Sequence, residues 1–243
     1  MPKAIFQVIY KDLKGRIENQ EYGFQELLPS ENMLVETYEC SRNTIRRAIS
    51  MLAQQGYVQS IHGVGVRVIY QPVKQTLFSI GGIESYKESA LRNGLTPITK
   101  VIQFTELTAD KRIAQKTGFA QGSLLYYIQR LRYLDGKALI LDINMFLKEA
   151  IPGLTKEIAE SSIYDYIEDT LGMSIITSKR LMTVERVTEV DVKYMNLNDY
   201  NCLAVVSSQT YNSDGVMFEY TQSRHRPDYF SFQDTAIRQK PTI

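Results

Sequence analysis

The segment Ser41–Leu52, SRNTIRRAISML, constrains this chain more than any other stretch. Ile45, Ala48, Ile49 and Leu52 stand at i, i+3, i+4 and i+7, the spacing of one buried helical stripe. Arg42 and Arg46 share a second face, as do Asn43 and Arg47, so three guanidiniums, an amide and the Thr44 hydroxyl are offered away from the core side. Gly56 stops the helix. The following YVQSIHGVGVRVIY alternates apolar and polar residues on each side of His62-Gly63-Val64-Gly65, which predicts a hairpin with a thin glycine tip.

Upstream, Phe6, Ile9, Leu13 and Ile17 recur at spacings of three and four and predict another helix. Gly23 and Pro29 end that pattern. Ser30 is then placed to cap a short helix over residues 31–38, with Glu31 in the first turn where negative charge suits the helix dipole. Ser41 can cap the third helix, which runs to about Gln55. Three helices joined by short turns and closed by a hairpin predict a winged helix-turn-helix over residues 1–70.

In that arrangement Arg42, Asn43, Thr44, Arg46 and Arg47 form a groove-reading inventory, because guanidinium forks and amides match base edges in the major groove. His62 and Gly63 form a wing tip thin enough to approach a phosphate or the minor groove, and Arg67 lies on the wing. An ordinary solvated helix face would also carry arginines, and it is the three-helix spacing and the hairpin that favour the groove. The formal net charge is only +1, spread evenly on either side of Gln71, so any DNA contact rests on local placement.

With 243 residues, 44% of them apolar and 23% charged, the chain has room for two packed domains. Its first twenty residues carry charges throughout and lack a leader-like apolar run, and no later stretch is long enough to span a membrane. A cytoplasmic protein without membrane contact is expected. Two cysteines, Cys40 and Cys202, and two histidines have no metal-ligand spacing, so neither a metal nor another cofactor is expected.

Residues 71–78 read as a linker and 79–243 as a second domain of mixed helix and strand. Helices are predicted at 83–93, 109–117, 155–170 and 188–196. Strands are predicted at 98–107, 123–134, 138–147, 174–187, 203–212 and 216–226, which are rich in β-branched and aromatic residues. Asp135-Gly136 and Asp214-Gly215 each separate two such strands, where a tight turn needs positive φ. The sheet should be mainly antiparallel, which makes the whole chain α+β.

Three strings make a resemblance specific: LPSE at Leu28–Glu31, the SRNTIRRAISML segment, and QGYVQSIHGVG at Gln55–Gly65. Together they resemble the GntR family of bacterial transcription regulators, over about the first seventy residues. The resemblance implies that Arg42, Thr44 and Arg46 face the groove and that His62 and Gly63 form the wing tip. Asn32 departs from it, standing where many members carry arginine.

Further strings, SYKESALRNGLTP at Ser85–Pro97, RLRYLDGKALILD at Arg130–Asp142, SSIYDYIE at Ser161–Glu168 and FEYTQSRHRPDYFSF at Phe218–Phe232, resemble the UTRA effector domain. That domain is similar in fold to chorismate lyase. Arg130 and Arg132 are two apart on a predicted strand, so their side chains leave one face and can converge on one anion. Their forks match phosphate oxygens, although two arginines on a wet strand face would read alike. Ser162 and Tyr164 open a helix, where N–H groups and a hydroxyl favour an anion.

The resemblance implies that Ser85, Tyr86, Asp142, Glu219 and His225 also line the effector site. Many UTRA domains carry tyrosine at the place of His225, and a satisfied surface histidine is the other reading of it. The strings at Leu154–Ile175 and Glu219–Phe232 are most similar to trehalose-responsive members, which implies trehalose 6-phosphate as effector. A different sugar phosphate, such as an amino-sugar 6-phosphate, is the alternative. No nucleophile with an adjacent base, metal cluster or nucleotide loop is legible, so a lyase-like enzyme is the remote reading. One recognition helix reads few base pairs, so a homodimer on operator DNA is expected.

Overall fold

The computed structural model describes residues 5–71, 83–92, 94, 96–134 and 136–231. The described residues divide into two compact units, residues 5–71 in the first and those from 83 to 231 in the second. The expected linker 71–78 lies outside the described residues apart from Gln71, as do 79–82 and 232–243 of the expected second domain and Asp135 of the first predicted turn.

In the first unit, α1 (Ile5–Glu18), α2 (Glu31–Tyr38) and α3 (Arg42–Gln54) surround one apolar core, and β1 (Val58–Ile61) pairs antiparallel with β2 (Gly65–Val68). Ser30 caps α2 by accepting from the Met33 N–H, and Ser41 caps α3 by accepting from the Thr44 N–H. Ile45, Ala48 and Leu52 are fully buried against Ile9, Leu13 and Ile17 of α1. Phe6, expected on the same buried face, is half-buried and stands outside that core, beneath the Arg47 guanidinium. Glu39 takes a left-handed φ of 47°, which turns the chain between α2 and α3 within three residues. Leu27 bridges to Arg67, so the strand leading into α2 adds a third rung to the hairpin.

The second unit is a six-stranded antiparallel sheet. Its strands are β3 (Ile98–Thr108), β4 (Leu124–Leu134), β5 (Lys137–Leu147), β6 (Ile175–Arg186), β7 (Cys202–Asn212) and β8 (Met217–His225). They lie in the order β3-β4-β5-β8-β7-β6. All six fall within two residues of the segments their composition predicts. The Asn212 side chain accepts from the N–H groups of Asp214 and Val216, and Gly215 has a φ of 75°, which closes the tight turn into β8.

Helices α4 (Tyr86–Arg92), α5 (Lys111–Thr117), α6 (Lys156–Glu160), α7 (Ile163–Asp165) and α8 (Glu189–Tyr194) complete the unit. The helix expected over 155–170 is instead broken after Glu160. Ser161 leaves the helical region with φ −90° and ψ −108°, and Ser162 starts a new cap by accepting from the Asp165 N–H. A five-residue π-turn at Tyr166–Thr170 follows. The Ser162 side chain, by bonding to nearby backbone, offers the chain this alternative to a continuous helix.

Leu131, Leu141, Leu203 and Val205 are buried on the sheet face that packs against the segment around Met195. Ile128 and Phe146 on the opposite face meet Ile151, Leu154, Ile163 and Ile167. Beyond that second cluster the face turns polar, and there the cleft opens.

Candidate functional site

The first unit presents its polar inventory along α3. Arg42, Asn43, Arg46 and Arg47 are exposed and Thr44 is half-exposed, opposite the buried stripe. Two of the arginines are held by consecutive residues of α2. Arg42 Nη2 donates to Asn32 Oδ1 at 2.7 Å, and Arg46 Nε donates to both oxygens of Glu31 at 3.0 and 3.2 Å. The Arg47 guanidinium stacks 3.8 Å from the Phe6 ring centroid. Thr44 Oγ1 hydrogen-bonds Ser41 Oγ. The Asn32–Arg42 bond gives the amide at that departure from the family pattern a task within the protein.

His62 and Gly63 are exposed at the hairpin tip, where Gly63 has a φ of 74° that a side chain would strain. Arg67 Nη1 donates to the Gln25 carbonyl at 3.0 Å, which ties the wing to the strand before α2. This pins the guanidinium without neutralising it.

The second unit contains a cleft of about 1090 Å³, counting its open mouth. Its floor follows from strand register. Antiparallel pairing aligns Asn144, Thr221, Ser208 and Arg180 in one row across β5, β8, β7 and β6. A neighbouring row aligns Arg130, Asp142 and Ser223 across β4, β5 and β8, and another aligns Glu219, Thr210 and Ser178. Because side chains alternate with period two, these residues all leave one face of the sheet. The roof is formed by α4, which brings Ser85 and Tyr86, and by the start of α7, which brings Ser162 and Tyr164.

All nine residues read from the sequence as effector-lining, Ser85, Tyr86, Arg130, Arg132, Asp142, Ser162, Tyr164, Glu219 and His225, lie on the wall of this one cleft. The two arginines are not equivalent, in contrast to the expectation that both are available to one anion. Arg132 Nε donates to Asp142 Oδ2 at 2.8 Å, its Nη1 donates to Thr99 Oγ1 at 2.6 Å, and its guanidinium lies 4.8 Å from the Tyr86 ring centroid. Tyr86 in turn donates to the Tyr133 carbonyl at 2.6 Å. Arg130 instead donates through Nε to the neutral Asn144 Oδ1 at 2.9 Å, and among the described residues no carboxylate forms a salt bridge with it.

Charge follows from this geometry. Burial and the Arg132 charge push Arg130 down to about 9, and a guanidinium at that value still carries its proton at neutral pH. Burial opposes ionisation of Asp142, but Arg132, Arg130 and the Ser223 hydroxyl outweigh it and hold the carboxyl below its ordinary value. Burial raises Tyr86 to about 12 and, with the adjacent Glu219 carboxylate, raises Tyr164 far above the usual phenol. Tyr164 therefore donates its proton to Glu219 Oε2 at 2.7 Å, while Thr221 donates to Oε1 at 2.6 Å. His225 is pushed down to about 4 by burial, only partly countered by Asp142, and its ring lies tilted at 49° to that of Phe230 with centroids 5.1 Å apart. It is a buried, neutral wall residue, which decides against the surface reading.

Ser162 is less available than its position implied, since its hydroxyl donates to Asp165 Oδ1 at 2.8 Å and caps α7. Asp165 also takes the Lys87 ammonium at 2.6 Å. Sequence reasoning missed Asn144, Thr221, Ser223, Ser208 and Arg180. No period-two contrast marks 219-221-223-225 in the sequence, because the intervening Gln222 and Arg224 of that strand are polar as well.

The family profile "UTRA domain" matches residues 92–231, and "Bacterial regulatory proteins, gntR family" matches residues 6–68. The chain belongs to the GntR family, in the branch that carries a UTRA domain. It is similar to the HTH-type transcriptional regulator TreR of Bacillus subtilis (strain 168), at 38% identity over 235 residues, covering 97% of this chain and 98% of that protein. It is also similar to the HTH-type transcriptional repressor NagR of the same organism, at 26% identity over 231 residues and 95% and 94% coverage.

Among solved structures, the B. subtilis trehalose repressor (TreR) effector binding domain aligns with a TM-score of 0.53 at 36% identity, covering 59% of this chain and 99% of that one. The B. subtilis regulator YydK aligns over 96% of this chain and 100% of its own with a TM-score of 0.79 at 23% identity, a likeness of fold. As a GntR/UTRA transcriptional regulator, the chain joins a DNA-reading unit to an effector-binding one, which gives both polar surfaces a place in one activity. Among the described residues no helix is long and apolar enough to cross a membrane.

Proposed function

We propose that this regulator is a homodimeric repressor of a trehalose-utilisation operon that releases its operator when trehalose 6-phosphate occupies the UTRA cleft. The observation that carries the effector class is Arg130. A buried guanidinium with only a neutral amide partner is costly, and a phosphate entering the cleft supplies the missing countercharge through charge-assisted bonds. Hydroxyls of Ser208, Ser223 and Thr221, with Glu219, supply partners for sugar hydroxyls. The choice of trehalose rests on the similarity to TreR.

Operator reading falls to Arg42, Asn43, Thr44, Arg46 and Arg47 on α3, with His62, Gly63 and Arg67 on the wing. Two such heads in a dimer match two half-sites, which a single recognition helix cannot do with useful specificity. The direct test is calorimetric titration of the full-length protein with trehalose 6-phosphate, trehalose, glucosamine 6-phosphate and inorganic phosphate, alongside operator release by each. Binding and release confined to trehalose 6-phosphate support the reading. Preference for glucosamine 6-phosphate would reassign the effector, and turnover of any of them would make the protein an enzyme.

A further inference from the structure

Tyr57, between α3 and β1, ties together the ends of α3, α1 and β2. Its N–H donates to the Leu52 carbonyl at 2.9 Å and so closes the C-terminal end of α3, where Leu52 completes the buried stripe. Its hydroxyl donates at 2.7 Å to Oε1 of Glu18, the last residue of α1, and Lys14 of the same helix lies 5.3 Å from its ring centroid. Its carbonyl accepts from the N–H groups of both Ile69 and Tyr70, at 2.9 and 3.1 Å, just past the end of β2. The Tyr70 ring then stacks on the Tyr57 ring, with centroids 4.8 Å apart and planes 10° from parallel.

This stack stands where the chain leaves the DNA-reading unit. Gln71 follows Tyr70 as the last described residue of that unit, and the expected linker begins there. Along the chain, a displacement of the second unit therefore reaches α3 through Tyr70. Pro72 comes next, and a residue before proline is held away from helical backbone, so Gln71 prolongs the direction that Tyr70 sets. The core beneath is already closed by Val58 and Val68, which are 1% and 0% exposed, while both tyrosines lie half-buried at its edge. Rings stacked at such an edge fix an orientation, because aromatic pairs prefer a few defined geometries.

We propose that the Tyr57–Tyr70 stack is the joint through which effector occupancy is transmitted to α3. Tyr70 is then a positioning residue for operator release, since it belongs neither to the polar face of α3 nor to the cleft. With the stack closed, a change in the direction of the chain at residue 71 turns α1 and α3 with it. With the stack open, the chain swings about residues 69 and 70 and leaves α3 where it stands. A joint transmits only as much free energy as holds it closed, and a ring pair is worth about two- to twelvefold in an equilibrium constant. This role rests on the reading that trehalose 6-phosphate releases operator, and it supplies the path by which release is delivered.

The test is operator affinity of the full-length protein with and without saturating trehalose 6-phosphate, for wild type, Tyr70→Phe and Tyr70→Leu. Phenylalanine keeps the ring pair, whereas leucine keeps apolar packing and removes it. Both variants should bind operator alone, and trehalose 6-phosphate alone, as wild type does, which also shows that they are folded. The factor by which trehalose 6-phosphate weakens operator binding should be unchanged in Tyr70→Phe and reduced about two- to twelvefold in Tyr70→Leu. An undiminished factor in Tyr70→Leu overturns the joint, and so does an equal reduction in Tyr70→Phe, which would assign the effect to the hydroxyl. Loss of operator affinity before any effector is added would make the stack a plain support of the fold and overturn it as well. If trehalose 6-phosphate does not weaken operator binding by wild type, the reading of function itself is wrong and the joint falls with it.

Discussion

Arg132 on β4 reaches diagonally to Asp142 on the neighbouring strand β5 of the UTRA sheet, 2.8 Å apart from Nε to Oδ2 and both buried. The pair is internally compensated. Asp142 also accepts from Ser223, and Arg132 from its other side grips Thr99. Arg130, the direct cross-strand neighbour of Asp142, forms no ion pair among the described residues, and Asp142 and Glu219 offset its charge only from a distance.

That asymmetry separates two substitutions that sequence alone treats as equal. Arg132→Ala strands a buried carboxylate, and breaking a buried pair in this way costs about 3–5 kcal/mol of stability. Arg130→Ala removes a buried charge that forms no ion pair and should leave stability closer to wild type while weakening phosphate-bearing ligands. Chemical denaturation and effector titration of both variants check this. Equal destabilisation by the two would contradict the assignment of Asp142 to Arg132.

On the DNA side, Arg42→Ala or Arg46→Ala should cost about 1–3 kcal/mol of operator binding if that arginine forks a guanine, with effector affinity unchanged. Asn32→Ala should lower operator specificity in the same direction as Arg42→Ala and by less, because Asn32 orients Arg42. Fluorescence anisotropy with operator and scrambled duplexes reads both. No loss for either arginine variant would take α3 out of the groove.

Operator affinity should fall steeply with salt despite the net charge of +1, since phosphate contacts release counterions whatever the overall charge. Arg67→Ala should reduce the slope of log K against log salt by about one if the wing arginine neutralises one phosphate. A slope identical to wild type would place Arg67 in a purely structural role through Gln25.

His225 adds a pH dependence to stability. Its folded value of about 4 lies below the ordinary 6.5, so between those values the unfolded chain binds the extra proton. Its contribution is fully present above about pH 6.5 and is lost as pH falls to about 4, on the order of 3 kcal/mol in all. Denaturation midpoints from pH 7 to 4 for wild type and His225→Gln measure it. The variant should show a shallower decline, and parallel curves would show that His225 is not held neutral by burial.

Much of this architecture was legible in the sequence because it is set locally. The α3 stripe, the Ser30 and Ser41 caps and the Asp214-Gly215 turn each follow from a few neighbouring residues. The long strands were legible for the same reason, as apolar runs bounded by turn residues. The cleft residues could be named one at a time, but their partners could not. Whether Arg132 or Arg130 holds Asp142 depends on strand register and on Tyr86 and Thr99 arriving from elsewhere in the chain. The break at Ser161 and the π-turn after Asp165 were hidden because residues 155–170 have a helical pattern throughout. Asn32 looked like a missing DNA contact until the α2–α3 packing brought Arg42 to it.

The central claim is that the cleft and the reading head are coupled, with effector stabilising a dimer arrangement in which the two α3 helices no longer match the half-site spacing. Coupling is reciprocal, so operator must weaken effector binding by the factor by which effector weakens operator binding, typically about 1–3 kcal/mol. The decisive measurement is trehalose 6-phosphate affinity with and without saturating operator, for wild type and Arg130→Ala. The account predicts weaker effector binding by the operator-bound wild type, and an Arg130→Ala protein that binds operator normally yet is not released. Equal effector affinities for free and operator-bound wild type would contradict it, because a ligand that binds both states equally shifts neither.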